Sequence, residues 1–281
     1  MLAIGGKSIL NKNDLDISGG NQLVSIVTTC FNAAKTIEHT LQSVLDQTYP
    51  NYEYWVIDAA SQDGTLEIVK RFQPLFKGRM LYQSAPDRGI YDGFNKGVNQ
   101  CGGDLIGILN ADDWYEPDAL ERVVQAYQTH PEAGVFYGIS RFFSEGGKQE
   151  LVVNRHHHSQ LFQGMTGHAG VFITKDAYRQ YGPYSLEYRI AADYELMLRL
   201  WRDGITFVGV DHILVNSCLG GASERLQLTG DLESAVIRRR YGFISSFRYG
   251  RLVVRAWNNH WRRSLHAFCV RLFGRPESLH G

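Results

Sequence analysis

From Leu23 onward, short apolar runs alternate with helix-length amphipathic segments. "LVSIVTT" predicts a strand, and residues Ala33 to Gln47 then carry Ile37, Leu41, Val44 and Leu45 at helical spacing, with Asn32 in a capping position. "YEYWVID" predicts a second strand and Thr65 to Phe72 a second helix. "MLYQS" followed by Ile90 to Asn99 repeats the unit. "DLIGILN" makes a fourth strand, and Pro117 opens a further helix at a position that suits proline. This alternation predicts an α/β fold with a doubly wound, mostly parallel sheet. Ligands on such sheets bind outside the carboxyl ends of the strands. Here those ends are polar: Thr28-Thr29, Asp58, Ser84 and Asn110 to Asp113. After about residue 135 the pattern becomes strand-rich, without a glycine- or proline-rich linker.

Composition narrows the class. The 281 residues are 44% hydrophobic and 21% charged with zero formal net charge, which suits one large globular domain, or one with an appendage, and gives no overall case for nucleic acid. Cys30, Cys101, Cys218 and Cys269 lie far apart, which argues against a zinc ribbon and does not suggest a disulfide scaffold. No apolar run approaches the roughly 18 residues of a membrane helix. A signal-peptide pattern is also absent from the first twenty residues, so a reduced cytoplasmic setting is expected.

Three stretches carry candidate chemistry. Asp58 ends "YWVI" with no local capping role visible in the sequence, and hydrogen bonding to a ribose or nucleobase is one use for it. Asp63-Gly64-Thr65, by contrast, is turn and cap chemistry. In "ILNADDW" the adjacent Asp112 and Asp113 repel unless water or a cation separates them. Magnesium is commonly held by one or two carboxylates plus substrate phosphates, and the plain alternative is helix capping or solvent exposure.

Together, "VSIVTTCFNAAKTIEHTLQSVLDQTYPNYEYWVIDAASQDGT" and "GGDLIGILNADDW" resemble the nucleotide-sugar glycosyltransferases of family 2, which have the GT-A fold. The resemblance runs from about Leu23 to Trp201. It implies nucleotide binding by Thr29, Phe31, Asp58, Arg88, Asn110 and Ala111, with a divalent cation, Mg²⁺ or Mn²⁺, on Asp112. This chain has Asn110 where the family usually has Asp, and Ala59 and Ala60 follow Asp58. "DRGIYDGFNKG" looks like the third motif of enzymes of bacterial capsule, exopolysaccharide and O-antigen assembly. There Arg88 would meet phosphate and Asp92 a sugar hydroxyl, the plain alternative being a surface Asp–Arg pair. Asp113 and His168 are further candidates for sugar or acceptor contact, with a satisfied core histidine equally open for His168.

Transfer to a hydroxyl needs a carboxylate base, and the family's catalytic Asp matches Asp193 in "RIAADYELMLRLW", with Ala192 in the usual Glu position. A carboxylate merely favoured by the helix dipole is the alternative. Glu195 is expected on the solvated side. The processive family members' Gln-x-x-Arg-Trp motif does not follow Asp193, so single-sugar transfer is expected. The His156 to His158 run is expected to be a solvated loop, not a metal tract.

The segment from Ile237 to Pro276 holds ten arginines and no acidic residue, interleaved with Tyr241, Phe243, Phe247, Tyr249, Trp257, Trp261, Phe268 and Phe273. That pattern suits an anionic membrane surface; a helix packed on the catalytic domain is the alternative. The expected organisation is therefore an N-terminal extension (1–22), a catalytic domain (23–225; donor half about 23–134, acceptor half about 135–225) and a basic aromatic helical segment (226–281). The expected activity is inverting, metal-dependent transfer from a nucleoside-diphosphate sugar to a saccharide acceptor, one that related enzymes often carry on polyprenyl diphosphate. The enzyme would lie peripherally on the inner face of the plasma membrane. A non-catalytic nucleotide-sugar-binding protein of the same fold, or a sugar nucleotidyltransferase, are the competing readings.

Overall fold

The computed structural model describes residues 3–5, 22–144, 150–154, 157–161, 168–218, 220, 226–245, 249, 250, 252 and 254. Four parallel strands form the centre: β2 (Val24–Cys30), β3 (Tyr52–Asp58), β4 (Met80–Ser84) and β5 (Leu105–Ile108). They run in the order β4-β3-β2-β5, and β1 (Ala3–Gly5) adds antiparallel to β4. The sheet continues through β9 (Val171–Thr174), β7 (Val135–Phe143), β10 (Phe207–Cys218) and β6 (Trp114–Tyr115), with β8 (Glu150–Asn154) paired to β7. β9 is antiparallel to both β5 and β7, so the second half is mixed. One ten-stranded sheet thus carries both halves of the chain.

Both faces are covered, which is why β2 is buried along its whole length and its apolar run is nearly continuous. Val24 and Ile26 face the core packed by α1 (Ile37–Leu45), α2 (Thr65–Phe72) and α4 (Ala119–Thr129). Val27 and Ile57 face the opposite core, built from α3 (Ile90–Gln100), α5 (Lys175–Tyr181) and α6 (Ala192–Arg202). The last described long helix, α7 (Gln227–Arg240), joins that second core through fully buried Ile237. α3 lies very close to β2: a Cβ on Gly97 would stand 2.2 Å from Val27 Cγ1.

Three local expectations change. α1 begins at Ile37, not Ala33, because Ala33 to Thr36 close a turn; Asn32 takes a left-handed conformation (φ 50) and caps nothing. Pro117 stands one residue ahead of the α4 cap, Asp118. Glu195 is buried, not solvated, because Arg199 (2.9 Å) and the Tyr241 hydroxyl (2.5 Å) supply partners for its carboxylate.

Candidate active site

The strand order reverses between β2 and β5, and the crevice outside that switch point is where doubly wound sheets take ligands. The β2, β3 and β4 tips are tied by side chains. Asp58 is fully buried, and its oxygens accept from Ser61 Oγ (2.5 Å), Ser84 Oγ (2.6 Å), the Ser61 N–H (3.2 and 3.3 Å) and Cys30 Sγ (3.6 Å). Asp58 therefore has a structural role after all, fastening three strand ends together. Ser61 Oγ also accepts the Asn32 N–H (2.9 Å), while Asn32 Oδ1 accepts from the Gln62 N–H (2.9 Å). Ala60, between them, holds φ 61, a conformation infrequent for a residue with a Cβ. Asp63 performs the turn role expected of it, accepting from Thr65 N–H (3.1 Å), Thr65 Oγ1 (2.5 Å) and the Ala34 N–H (3.0 Å). Thr29 is nearly buried beneath α3, whereas Phe31 is 64% exposed at the rim.

At the end of β5, Asn110 and Asp112 are half-buried, and Ala111 and Asp113 are buried. Asn110 Nδ2 donates to Asp113 Oδ2 (3.0 Å) and Asp113 N–H returns a bond to the Asn110 carbonyl (3.1 Å). Burial, and then the charge of Asp112, push the Asp113 carboxyl up to about 7. An Asp at position 110 would lose that donor and add a third carboxylate, so Asn110 is the residue compatible with a buried Asp113. Its Oδ1 is buried with no hydrogen-bond partner among the described residues. An unsatisfied carbonyl oxygen beside a carboxylate pair whose charges oppose one another is a donor set suited to a hard cation. Among the described residues no group of three or more His, Cys, Asp or Glu converges, so the cation's remaining ligands would be phosphate and water.

The third cluster joins α3, α6 and β9. Asp193 is half-buried in the first turn of α6, and its Oδ1 accepts from the Tyr194 N–H (2.8 Å) and the Tyr91 hydroxyl (2.9 Å). Tyr91 also lies against the Ile190 carbonyl. Burial and then the Asp193 charge hold the Tyr91 phenol well above its ordinary value, so it remains a donor. Tyr91 stacks on Tyr184 (5.7 Å), and His168 stacks on Phe94 (5.2 Å) with Nε2 3.3 Å from the Tyr184 hydroxyl. Burial lowers the His168 pKa, against the opposing pull of Asp193, which favours the neutral ring. Asp92 is occupied by Arg88 (3.0 Å) and Lys96 (3.0 Å); burial opposes the effect, but those bonds bring its carboxyl below the usual range. Arg88, with its side chain 75% exposed, makes the Asp–Arg pair that was the plainer expectation.

The sequence-predicted residues thus fall into four groups: Thr29, Phe31 and Asp58 at the β2–β3 tips, Asn110 to Asp113 after β5, Asp193 with His168 on the α3–α6 side, and Arg88 paired with Asp92 at the start of α3. Tyr91 and Tyr184 were missed, although Tyr91 lies inside the "DRGIYDGFNKG" stretch. Of the His156 to His158 run, His156 lies outside the described residues; His158 Nδ1 is 2.9 Å from the Tyr137 hydroxyl.

A doubly wound sheet with a carboxylate pair at its switch point and a second-half carboxylate on a helix start defines a GT-A glycosyltransferase architecture. Solved structures bear out the fold. The chain is similar to S. aureus TarS 1-349 in complex with UDP-GlcNAc (TM-score 0.63, 14% identity, 90% of this chain and 76% of that one). It is similar also to the mannosyltransferase PcManGT of Pyrobaculum calidifontis in complex with GDP-Man and Mn²⁺ (TM-score 0.64, 17% identity, 91% and 76%). Residues 25–184 match the model of Glycosyl transferase family 2, and the chain belongs to that family. A PGL/p-HBAD biosynthesis glycosyltransferase of Mycobacterium tuberculosis is 30% identical over 211 residues, 73% of this chain and 80% of the relative. The putative teichuronic acid biosynthesis glycosyltransferase TuaG of Bacillus subtilis is 30% identical over 124 residues, 44% of this chain and 49% of its own.

Proposed function

We propose that this glycosyltransferase moves one sugar, with inversion, from a nucleoside-diphosphate sugar to a hydroxyl of a growing bacterial polysaccharide, with Asp193 as general base. The observation that carries the reading is the setting of Asp193. Among the described residues both of its hydrogen bonds fall on Oδ1, from donors that keep their protons, and Oδ2 would accept the proton of an attacking hydroxyl. Thr29, Phe31, Asn110 and Ala111 at the strand tips would meet the nucleoside, and Asp58 holds the β2, β3 and β4 tips together. Asp112, with Asn110 Oδ1, would hold Mg²⁺ or Mn²⁺, and the bound cation would stabilise charge on the departing nucleoside diphosphate. Asp113 supports the Asn110 side chain and His168 would line the acceptor side. Arg88 stays exposed for a phosphate, held by the buried Asp92, whose remaining capacity would meet a sugar hydroxyl. The donor half is about 23–134 and the acceptor half about 135–225. A relative named for teichuronic acid biosynthesis supports a saccharide acceptor, and a polyprenyl-diphosphate-linked chain is the form we assign to it.

No described helix is long and apolar enough to cross a membrane. The described start of the basic segment packs on α6: Phe243 meets Trp201 (5.8 Å), and the Arg202 guanidinium lies 4.9 Å from the Tyr241 ring centre. The arginine-rich remainder lies almost wholly outside the described residues, and we assign contact with an anionic, cytoplasmic-face membrane to residues 246–281 on charge and aromatic content alone. Cosedimentation with anionic liposomes at low and high salt, with and without those residues, checks that part; equal binding by the truncated form refutes it. The enzymatic reading is tested by a thermal-shift panel of UDP, GDP and other nucleoside diphosphates with Mg²⁺ or Mn²⁺. One nucleotide should raise the melting temperature only with metal. No shift with any of them would overturn the reading.

A further inference from the structure

Asp193 is delivered by the segment 189–191, which leads into α6. Ala191, the residue ahead of the helix, offers no side-chain cap. Three successive backbone donors of this segment converge on a single carboxylate, that of Glu233 in α7. Arg189 N–H donates to Oε1 (2.7 Å), and Ile190 and Ala191 N–H donate to Oε2 (2.9 and 3.0 Å). N–H groups at a helix start lack intrahelical partners, and a carboxylate placed there gains from the helix dipole and from charge-assisted bonds. From the other side, Tyr91 of α3 meets the Ile190 carbonyl and Asp193 itself. The segment is therefore gripped at its N–H groups by α7 and at its carbonyl by α3.

α7 is itself anchored. Ile237 is fully buried, Arg240 pairs with Glu187 (2.8 Å) and the Tyr188 hydroxyl (3.0 Å), and the Tyr241 hydroxyl donates to Glu195. Glu233 is therefore presented from a fixed helix, beyond residue 184, where the family match ends. We propose that Glu233 is a positioning residue for Asp193, so that α7 belongs to the catalytic unit. The inference rests on Asp193 being the base. Displacement of a catalytic group by about 1 Å costs on the order of 10²-fold in rate, so loss of this grip should act on turnover and not on donor capture.

The test uses the full chain and its Glu233→Ala, Glu233→Gln and Ile237→Val variants. Amide hydrogen exchange across 189–191 is measured together with release of UDP from UDP-GlcNAc or of GDP from GDP-mannose, whichever the parent turns over. Glu233→Ala should speed exchange at those three amides and lower kcat by ~10–100-fold, with donor KM within about two-fold. Glu233→Gln, which keeps one acceptor oxygen, should recover part of the loss. Ile237→Val trims one buried methylene but leaves the Glu233 carboxylate and the Arg240 and Tyr241 anchors of α7 in place, and should hold kcat within about two-fold. Parental exchange or parental kcat in Glu233→Ala would overturn the proposal, as would an equal fall in kcat for Ile237→Val. If the parent releases neither nucleotide, its donor is a different nucleotide sugar, and the exchange measurement decides whether Glu233 holds the segment.

Discussion

At the β2–β5 end of the site each carboxylate takes a bond from a near neighbour in the chain: Asp58 from Ser61, Asp63 from Thr65 and Asp113 from Asn110. Ser84 and Ala34 add bonds to Asp58 and Asp63 from 26 and 29 residues away. At the α6 end, Asp193 is held by Tyr91 across a sequence separation of 102 residues, and Glu233 grips Ile190 across 43. The first arrangement joins the ends of adjacent parallel strands and forms as β2, β3 and β4 pair. The second exists only once α3, α6 and α7 have docked on the same face of the sheet. Closure between adjacent strands suits the proposed donor pocket, whereas assembly of three helices leaves the proposed acceptor end dependent on packing.

The sharpest way to separate the two ends is to disable each chemically. Asp193→Asn should lower turnover by at least ~10²-fold while the nucleotide-induced thermal shift stays near parental. Intact turnover, or loss of the shift instead, would remove Asp193 from its role. Asp112→Ala should do the converse at the other end, abolishing the metal-dependent part of the nucleotide shift and with it transfer, while the metal-free melting temperature stays close to parental. Transfer at the parental rate in Asp112→Ala would show that the cation is not held there.

The same contrast explains what the sequence disclosed. β2, β3, β4, α2 and the end of β5 are legible because apolar runs end in turn residues, and Asp63-Gly64-Thr65 states its own hydrogen bonds. The internal role of Asp58 was not visible, since Ser84 reaches it from 26 residues away. Nor was the burial of Glu195, which depends on Tyr241 arriving from beyond β10. Tyr91 stood in view within a motif but had no evident partner, because nothing in the pattern says that α3 and α6 share a face. Glu233 carries no sequence signal: an acidic residue in an amphipathic helix is commonplace, and only the fold brings three N–H groups to it.

A smaller effect is expected from altering how α3 seats on the sheet, because α3 carries Tyr91 to Asp193 and lays Gly93 against Thr29. Gly97→Ala would push a methyl into Val27 and should cost about 1–3 kcal/mol of stability, measured by denaturant unfolding. If the docking of α3 matters chiefly to the long-range end, turnover should fall more than nucleotide affinity. An unchanged unfolding midpoint would mean that α3 can shift without penalty, and the packing argument for the acceptor end would lose its base.

The weakest expected effect, and the most specific to the acceptor end, is the pH response of His168. Its ring is stacked on Phe94 and burial disfavours the charged form, so its folded-state pKa lies below that of the unfolded chain. Between those two values the unfolded state binds more protons, so stability falls as pH drops through the unfolded value of about 6.5 and is fully present above it. Asp113, pushed up to about 7, acts on stability in the opposite sense across this range, so the His168 share is read by difference. Relative to the parent, His168→Gln, which removes the titrating ring, should gain less melting temperature, or lose more, on going from pH 5.5 to pH 7.5. Asp193 pulls in the opposite direction by favouring the imidazolium, so Asp193→Asn should enlarge the His168 share slightly. His168 coupled in this way belongs to the same electrostatic unit as the base. A pH dependence identical in parent and His168→Gln would instead leave the ring as packing against Phe94, with no electrostatic share in the acceptor end.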